Sequence, residues 1–165
     1  MTAAKETLIL VLNIGTIIIE LLPGVAPQHV AQIQNLVESK AYDGVVFHRV
    51  IDGFMAQTGD VKFGHHDQLD TNRVGTGGSD LPNIPAEFGP ISHIKGNVSM
   101  ARSQNPNSAN SQFFICLADV PFLDGQYSVF GRVVEGMDIV ERIKKGHPQS
   151  GSVNGPDYII TAYLK

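Results

Sequence analysis

The sequence predicts an all-β-dominated domain, a β-barrel or sandwich with helices at its ends, and three observations carry that expectation. Charged residues make up only 17% of the chain while Gly (17) and Pro (9) are well supplied, a composition suited to many strands and tight turns. Short runs rich in β-branched residues recur between turn formers. Helical spacing appears in two segments only, too few for a bundle. A length of 165 residues suits one domain, 1–165, with a core of ordinary size.

The elements follow in order. TLILVLN and TIIIELL, separated at Ile14-Gly15 with Asn13 just before, read as a hairpin of two largely buried strands. PGVAPQHVAQIQNLVESKAYDG then shifts to helical spacing, with Val30, Ile33, Leu36 and Val37 three and four apart, Pro27 near the first turn and Gly44 past the end. VVFHRVI is the next strand, and counting by twos puts Val45, Phe47, Arg49 and Ile51 on one face and Val46, His48 and Val50 on the other. From Gly59 to Pro90 periodicity stops, and a loop of that length inside a domain carries function or is disordered. NVSMA and SQFFICL are strands joined by the turn-forming RSQNPNSAN. YSVFGRVV is a further strand, GMDIVERIKKG a short helix with Ile139, Val140 and Ile143 on one side, and DYIITAYL closes the chain. The tally is at least six strands and two helices.

Composition also excludes. Twelve basic against sixteen acidic residues give a net charge of -4 with no clustered Lys/Arg run, which argues against nucleic acid and anionic membrane as partners. Leu8–Leu22 is apolar, but Asn13, Gly15 and Glu20 interrupt it and no small-residue cleavage site follows, so it reads as structure rather than a signal or a membrane span. Cys116 is the sole cysteine, so no intrachain disulfide forms, and a reducing, cytoplasmic setting is expected. Lying between apolar residues of FFICL, its thiol is expected to be inert. His65, His66 and Asp67 lack the spacing of a helical metal pair, and GTGGS at Gly75–Ser79 lacks the Lys-Ser/Thr of a phosphate loop. Neither a metal nor a cofactor is therefore expected. His48 reads as a hydrogen-bonded core histidine. Phe113 and Phe114 point to opposite faces, so one of them lines the core.

Arg49 resists a bland reading. A permanent cation on an apolar face is costly unless paired, and its sequence neighbours offer Gln57, Phe54 and Met55 rather than an acid. Two placements remain open: an ion pair with a distant carboxylate, or projection into a half-apolar cleft that receives a partner bringing acceptors.

FHRVIDGFMAQTGD, followed by GNVSMARSQNPNSANSQFFICLADVPFLDGQYSVFGRVVEGMDIVERI, resembles the cyclophilin family of peptidyl-prolyl isomerases along essentially the full chain. The resemblance implies an eight-stranded antiparallel β-barrel capped by two α-helices, with a peptide groove on its outer surface. By motif it implies Arg49 as the catalytic residue; Phe54, Met55, Phe114 and Leu123 as walls of a proline pocket; and Gln57, Ala101, Arg102, Gln112, Phe122 and Tyr127 as further substrate contacts. Gln57 is expected to orient the guanidinium and Gln112 to hold a substrate carbonyl. GTGG, with Thr76 and Gly77, resembles the rim of a second, shallower pocket. The implied ligands are proline-containing peptides in unfolded or folded client proteins; a monomer is expected because the sequence shows no extended apolar seam or coiled-coil repeat.

Three departures qualify the match. Phe122 and Tyr127 replace the Trp and His of many eukaryotic members, a bacterial-like pattern that removes an indole donor and implies weakened cyclosporin binding. Arg102 stands where Asn is common. VKFGHHDQLDTNRVG is longer than this loop is in compact members. The enzyme reading competes with one from another class, a proline-peptide binding module or chaperone-like scaffold with incidental turnover. Retention of Arg49 beside the whole pocket favours catalysis, because a pure binder gains little from a donor aimed at a twisted bond.

Overall fold

The structure, a computed structural model, describes residues 5–165. Thr7–Leu12 (β1) and Gly15–Leu21 (β2) pair as the expected hairpin, with Leu12 opposite Gly15 and Asn13-Ile14 as the turn. The remaining strands are Arg49–Ile51 (β3), Met55–Thr58 (β4), Asn97–Met100 (β5), Phe113–Cys116 (β6), Val129–Glu135 (β7) and Ile159–Leu164 (β8). All eight form one antiparallel sheet in the order β3-β4-β6-β5-β7-β2-β1-β8. The sheet curls until its edges meet. Residues leading into β3 run beside the start of β8, where the Phe47 N–H donates to Asp157 O (2.8 Å) and the Ile159 N–H to Val45 O (2.9 Å).

Alternation gives the sheet two faces with different fates. Val50, Ala56, Ile115 and Val98 lie opposite one another across β3, β4, β6 and β5, and all belong to the main core. Pro27–Glu38 (α1) adds Val30, Ile33, Leu36 and Val37 to that core, and Met137–Arg142 (α2) adds Val140, with Ile143 just beyond it. Burying these stripes is what holds both helices, since a six-residue helix is not stable alone.

Two expectations need correction. The alternation read through VVFHRVI breaks at Phe47 and His48, and β3 begins only at Arg49. Phe47 and Val50 both enter the core although they are three apart, so Arg49 shares its face with Ile51 and not with Phe47. The helix likewise ends earlier than Gly44. The left-handed residue after α1 is Lys40 (φ 64°), whose N–H reaches Val37 O while that of Ala41 reaches Leu36 O, closing the last turn as a Schellman motif.

Candidate active site

Arg49 lies opposite Gln57 in the β3–β4 hairpin, Gln57 opposite Phe114 on β6, and Phe114 opposite Ser99 on β5. Residues directly opposed in an antiparallel sheet project to one face, so this single row sets a cation, an amide, an aromatic ring and a hydroxyl side by side on the face of the sheet turned away from the main core. The neighbouring row is Ile51, Met55 and Cys116. Together with Val120 and Leu123 these side chains build a second apolar cluster, separate from the core, against which Phe54, Ala101 and Tyr127 pack.

Above this cluster opens a cleft of about 300 Å³. Arg49, Phe54, Met55, Gln57, Ala101, Arg102, Phe114, Leu123 and Tyr127 line it, nine of the residues singled out in the sequence. Among the described residues no carboxylate does, so two guanidiniums face the cleft without an acid beside them. The half-buried Arg49 is held by neutral acceptors: Nη1 donates to Gln57 Oε1 (3.3 Å) and Nε to Ser150 O (3.2 Å). Among the described residues the arginine ion pairs involve Arg73, Arg132 and Arg142. Gly151 (φ 77°) lies so close that a Cβ there would stand 2.7 Å from Arg49 Cγ, so the 150–152 segment clamps the arginine stem.

The amide chain continues outward. Gln57 Nε2 donates to Gln112 Oε1 (2.9 Å), and Gln112 Nε2 donates to Gly75 O (3.0 Å) and Gly77 O (2.9 Å). Both amide hydrogens of Gln112 are thus taken by the glycine-rich loop, and the expected bond to a substrate carbonyl is not available in this arrangement. Gln112 instead joins Thr76, Gly77, Ala101 and Arg102 in lining an adjoining pocket of about 370 Å³. Arg102 is fixed on the rim, donating to Gln126 O and Ser103 O with its guanidinium 4.6 Å above the Tyr127 ring. Phe122 stands apart: it is 69% exposed, leans on Phe54 at 6.0 Å between ring centroids, and is not among the residues lining the cleft.

His48, Thr71, Val74, Gly75, Ser150 and Ser152 also line the cleft and were not expected there. The hydrogen bonds expected of His48 are missing. Only 8% exposed, it has a partner on neither ring nitrogen, and burial pulls its pKa to about 4 against the opposing pull of the Asp60 carboxylate. Asp60 itself, fully buried, organises the loop: Oδ1 accepts from the Lys62 and Phe63 N–H groups, Oδ2 from those of Gly75 (2.7 Å) and Gly77 (3.0 Å). The loop residues have no periodic signal, and only the fold brings 71–75 and 150–152 into the same cleft wall as Arg49.

The other candidates lie elsewhere. Cys116 is fully buried, and burial, with Asp124 and Asp119 nearby, pushes its thiol up to about 12. His66 stacks on Tyr158 at 4.0 Å, and no group of three potential metal ligands occurs among the described residues.

The sequence profile described as cyclophilin type peptidyl-prolyl cis-trans isomerase matches residues 7–163. The chain belongs to that family. A probable peptidyl-prolyl cis-trans isomerase of Brucella suis is 59% identical over 163 residues, 98% of this chain and 83% of the relative. A peptidyl-prolyl cis-trans isomerase of Helicobacter pylori is 38% identical over 137 residues, 81% of this chain and 77% of its own. Among solved structures, a cyclophilin from Hirschia baltica superposes with a TM-score of 0.82 at 29% identity, covering 97% of this chain and 74% of that one. A Cryptosporidium parvum cyclophilin type isomerase, crystallised in the presence of the dipeptide Ala-Pro, also gives 0.82, at 26% identity over 96% of this chain and 98% of its own. The curled eight-stranded sheet with two helices is therefore a cyclophilin fold.

Proposed function

We propose that this cyclophilin accelerates rotation about Xaa-Pro bonds by binding the twisted bond more strongly than either planar isomer, with Arg49 as the catalytic residue. The peptide C–N bond resists rotation by about 18–20 kcal/mol because the nitrogen lone pair is delocalised into the carbonyl. Twisting localises that pair on the prolyl nitrogen and makes it a better acceptor. A fixed cationic donor aimed there stabilises the twisted state selectively. Raising a rate of ~0.01 s⁻¹ to an ordinary ~10–10³ s⁻¹ asks for roughly 4–7 kcal/mol, within reach of a charge-assisted bond and a ring-holding pocket. Neither a nucleophile nor a base enters this step.

The observation that carries the reading is the half-buried guanidinium, restrained by Gln57 and Ser150 O rather than by an acid, in the wall of a cleft it shares with Phe54, Met55, Phe114 and Leu123. An acid partner would hold the donors in competition with substrate; neutral acceptors orient them and leave the charge unbalanced. The apolar walls suit a prolyl ring, and the adjoining pocket beside Thr76 and Gly77 suits residues upstream of it. The test follows isomerisation of a short Ala-Pro peptide with a conformer-specific protease. Arg49→Ala is expected to lose about 10²-fold or more in kcat/KM, chiefly in kcat, with the fold intact. Unchanged activity would remove Arg49 from the mechanism, and wild-type binding without rate enhancement would leave a proline-peptide binding module.

A further inference from the structure

His93 lies behind the cleft and outside its lining, yet three of the cleft's walls converge on it. Its ring is 1% exposed and lies nearly parallel to Phe114 (6.2 Å, 17°) and edge-on to Tyr127 (6.4 Å, 75°). Phe114 and Tyr127 meet each other at 5.6 Å and 88°, so the three rings form one packed group. Leu123 belongs to a single helical turn, Pro121–Leu123, and residue 93 pins both sides of that turn. The Val120 N–H donates to His93 O (2.7 Å), and the His93 N–H donates to Asp124 Oδ1 (2.7 Å).

The imidazole completes the arrangement. Nδ1 meets Asp124 Oδ1 at 2.8 Å, and because a carboxylate only accepts, Nδ1 carries the proton. Nε2 meets Ser99 Oγ at 2.9 Å, and Ser99 is the cross-strand neighbour of Phe114. Serine, histidine and aspartate in this order suggest a nucleophilic triad, but Ser99 is fully buried and offers a substrate carbonyl no approach. The row instead ties the turn carrying Leu123 to the strand beside Phe114.

We propose that His93 is a positioning residue for the proline pocket, holding the Leu123 turn, the Phe114 ring and the Tyr127 ring in register through its bonds to Asp124 and Ser99. The inference rests on the functional reading above. It differs from the role of Arg49 in what it controls: fit of the prolyl ring, and not stabilisation of the twisted bond.

The experiment measures Ala-Pro peptide affinity, KM and kcat, with thermal unfolding as a check on folding. His93→Phe keeps a ring but loses both side-chain bonds, and Asp124→Ala removes the acceptor. Each is expected to weaken binding and raise KM about tenfold while kcat stays within about twofold, the reverse of Arg49→Ala. Asp124→Asn keeps Oδ1 as acceptor for both His93 N–H groups and is expected to recover KM to within about threefold of wild type. A folded His93→Phe chain with unchanged KM, a loss confined to kcat, or an Asp124→Asn chain as weak as Asp124→Ala overturns the inference alone. Should His93→Phe not fold, Ser99→Ala decides: raised KM with preserved kcat supports the role, unchanged KM overturns it. Failure of the wild type to bind the peptide overturns the functional reading, and this inference with it.

Discussion

Arg49 and His48 are adjacent in sequence and opposite in their electrostatics. The Arg49 guanidinium stands at the cleft wall leaning on an amide and a backbone carbonyl, whereas His48 lies buried with neither ring nitrogen bonded, where ionisation is disfavoured. Burial lowers the pKa of His29 as well, against the hydrogen bond its ring donates to the Glu87 carboxylate. The sign of the consequence follows from proton counting. Between the unfolded value of 6.5 and about 4 for His48, the unfolded chain binds protons that the folded chain does not. The histidine contribution to stability is therefore complete above the upper limit and declines as pH falls through the window. Urea unfolding midpoints are expected to drop across that interval, and His48→Gln should flatten the decline. A slope indifferent to the replacement would mean that His48 binds protons equally in the native and unfolded chains, so that burial does not displace it.

Among the elements, the glycine-rich loop shows how an irregular segment acquires a fixed shape. Asp60, at the end of the strand-loop junction after β4, collects four backbone N–H groups from both ends of the 61–77 excursion. Gly77 passes so close that a Cβ would stand 2.3 Å from Asp60 Oδ1, which requires glycine there. Gln112 then ties the carbonyls of Gly75 and Gly77 to Gln57, and through it to Arg49. Asp60→Asn puts an amide donor against two N–H groups on one side of this hub. A cost of about 2–3 kcal/mol is expected, with faster amide hydrogen exchange at Gly75 and Gly77. Exchange unchanged at those two glycines would show that another contact holds the loop. Because the same loop supplies Thr71 and Val74 to the cleft, KM should rise along with exchange.

For the molecule as a whole, the decisive feature is that one curled sheet has an apolar interior and also an apolar patch on its exterior. Cys116 reports on the second: it is fully buried beneath the patch and its thiol is raised to about 12. Thiol reagents are expected to label it only at the rate of global unfolding, so labelling should follow the denaturant dependence of the unfolding rate; fast labelling of native protein would mean that the cleft opens by itself. How much of this is legible in the sequence depends on range. The hairpin, both helices and the later strands were readable because i, i+2 and i, i+4 patterns are local. That Phe113 and Phe114 part to opposite faces follows from alternation, and that Phe114 is the one in the cleft follows from the resemblance. The break at Phe47 and His48 was not readable, since it arises where the chain leaves the β8 edge and enters the β3–β4 hairpin. Nor was His93, whose partners at Ser99 and Asp124 come from a strand and a turn and show no shared period. The sequence by itself determined the element types, the two-faced strands and, through its motifs, the family. Tertiary structure alone decided which face Arg49 occupies, that no acid among the described residues neutralises it, and which loops close around it, because register and loop contacts depend on residues brought together from far along the chain.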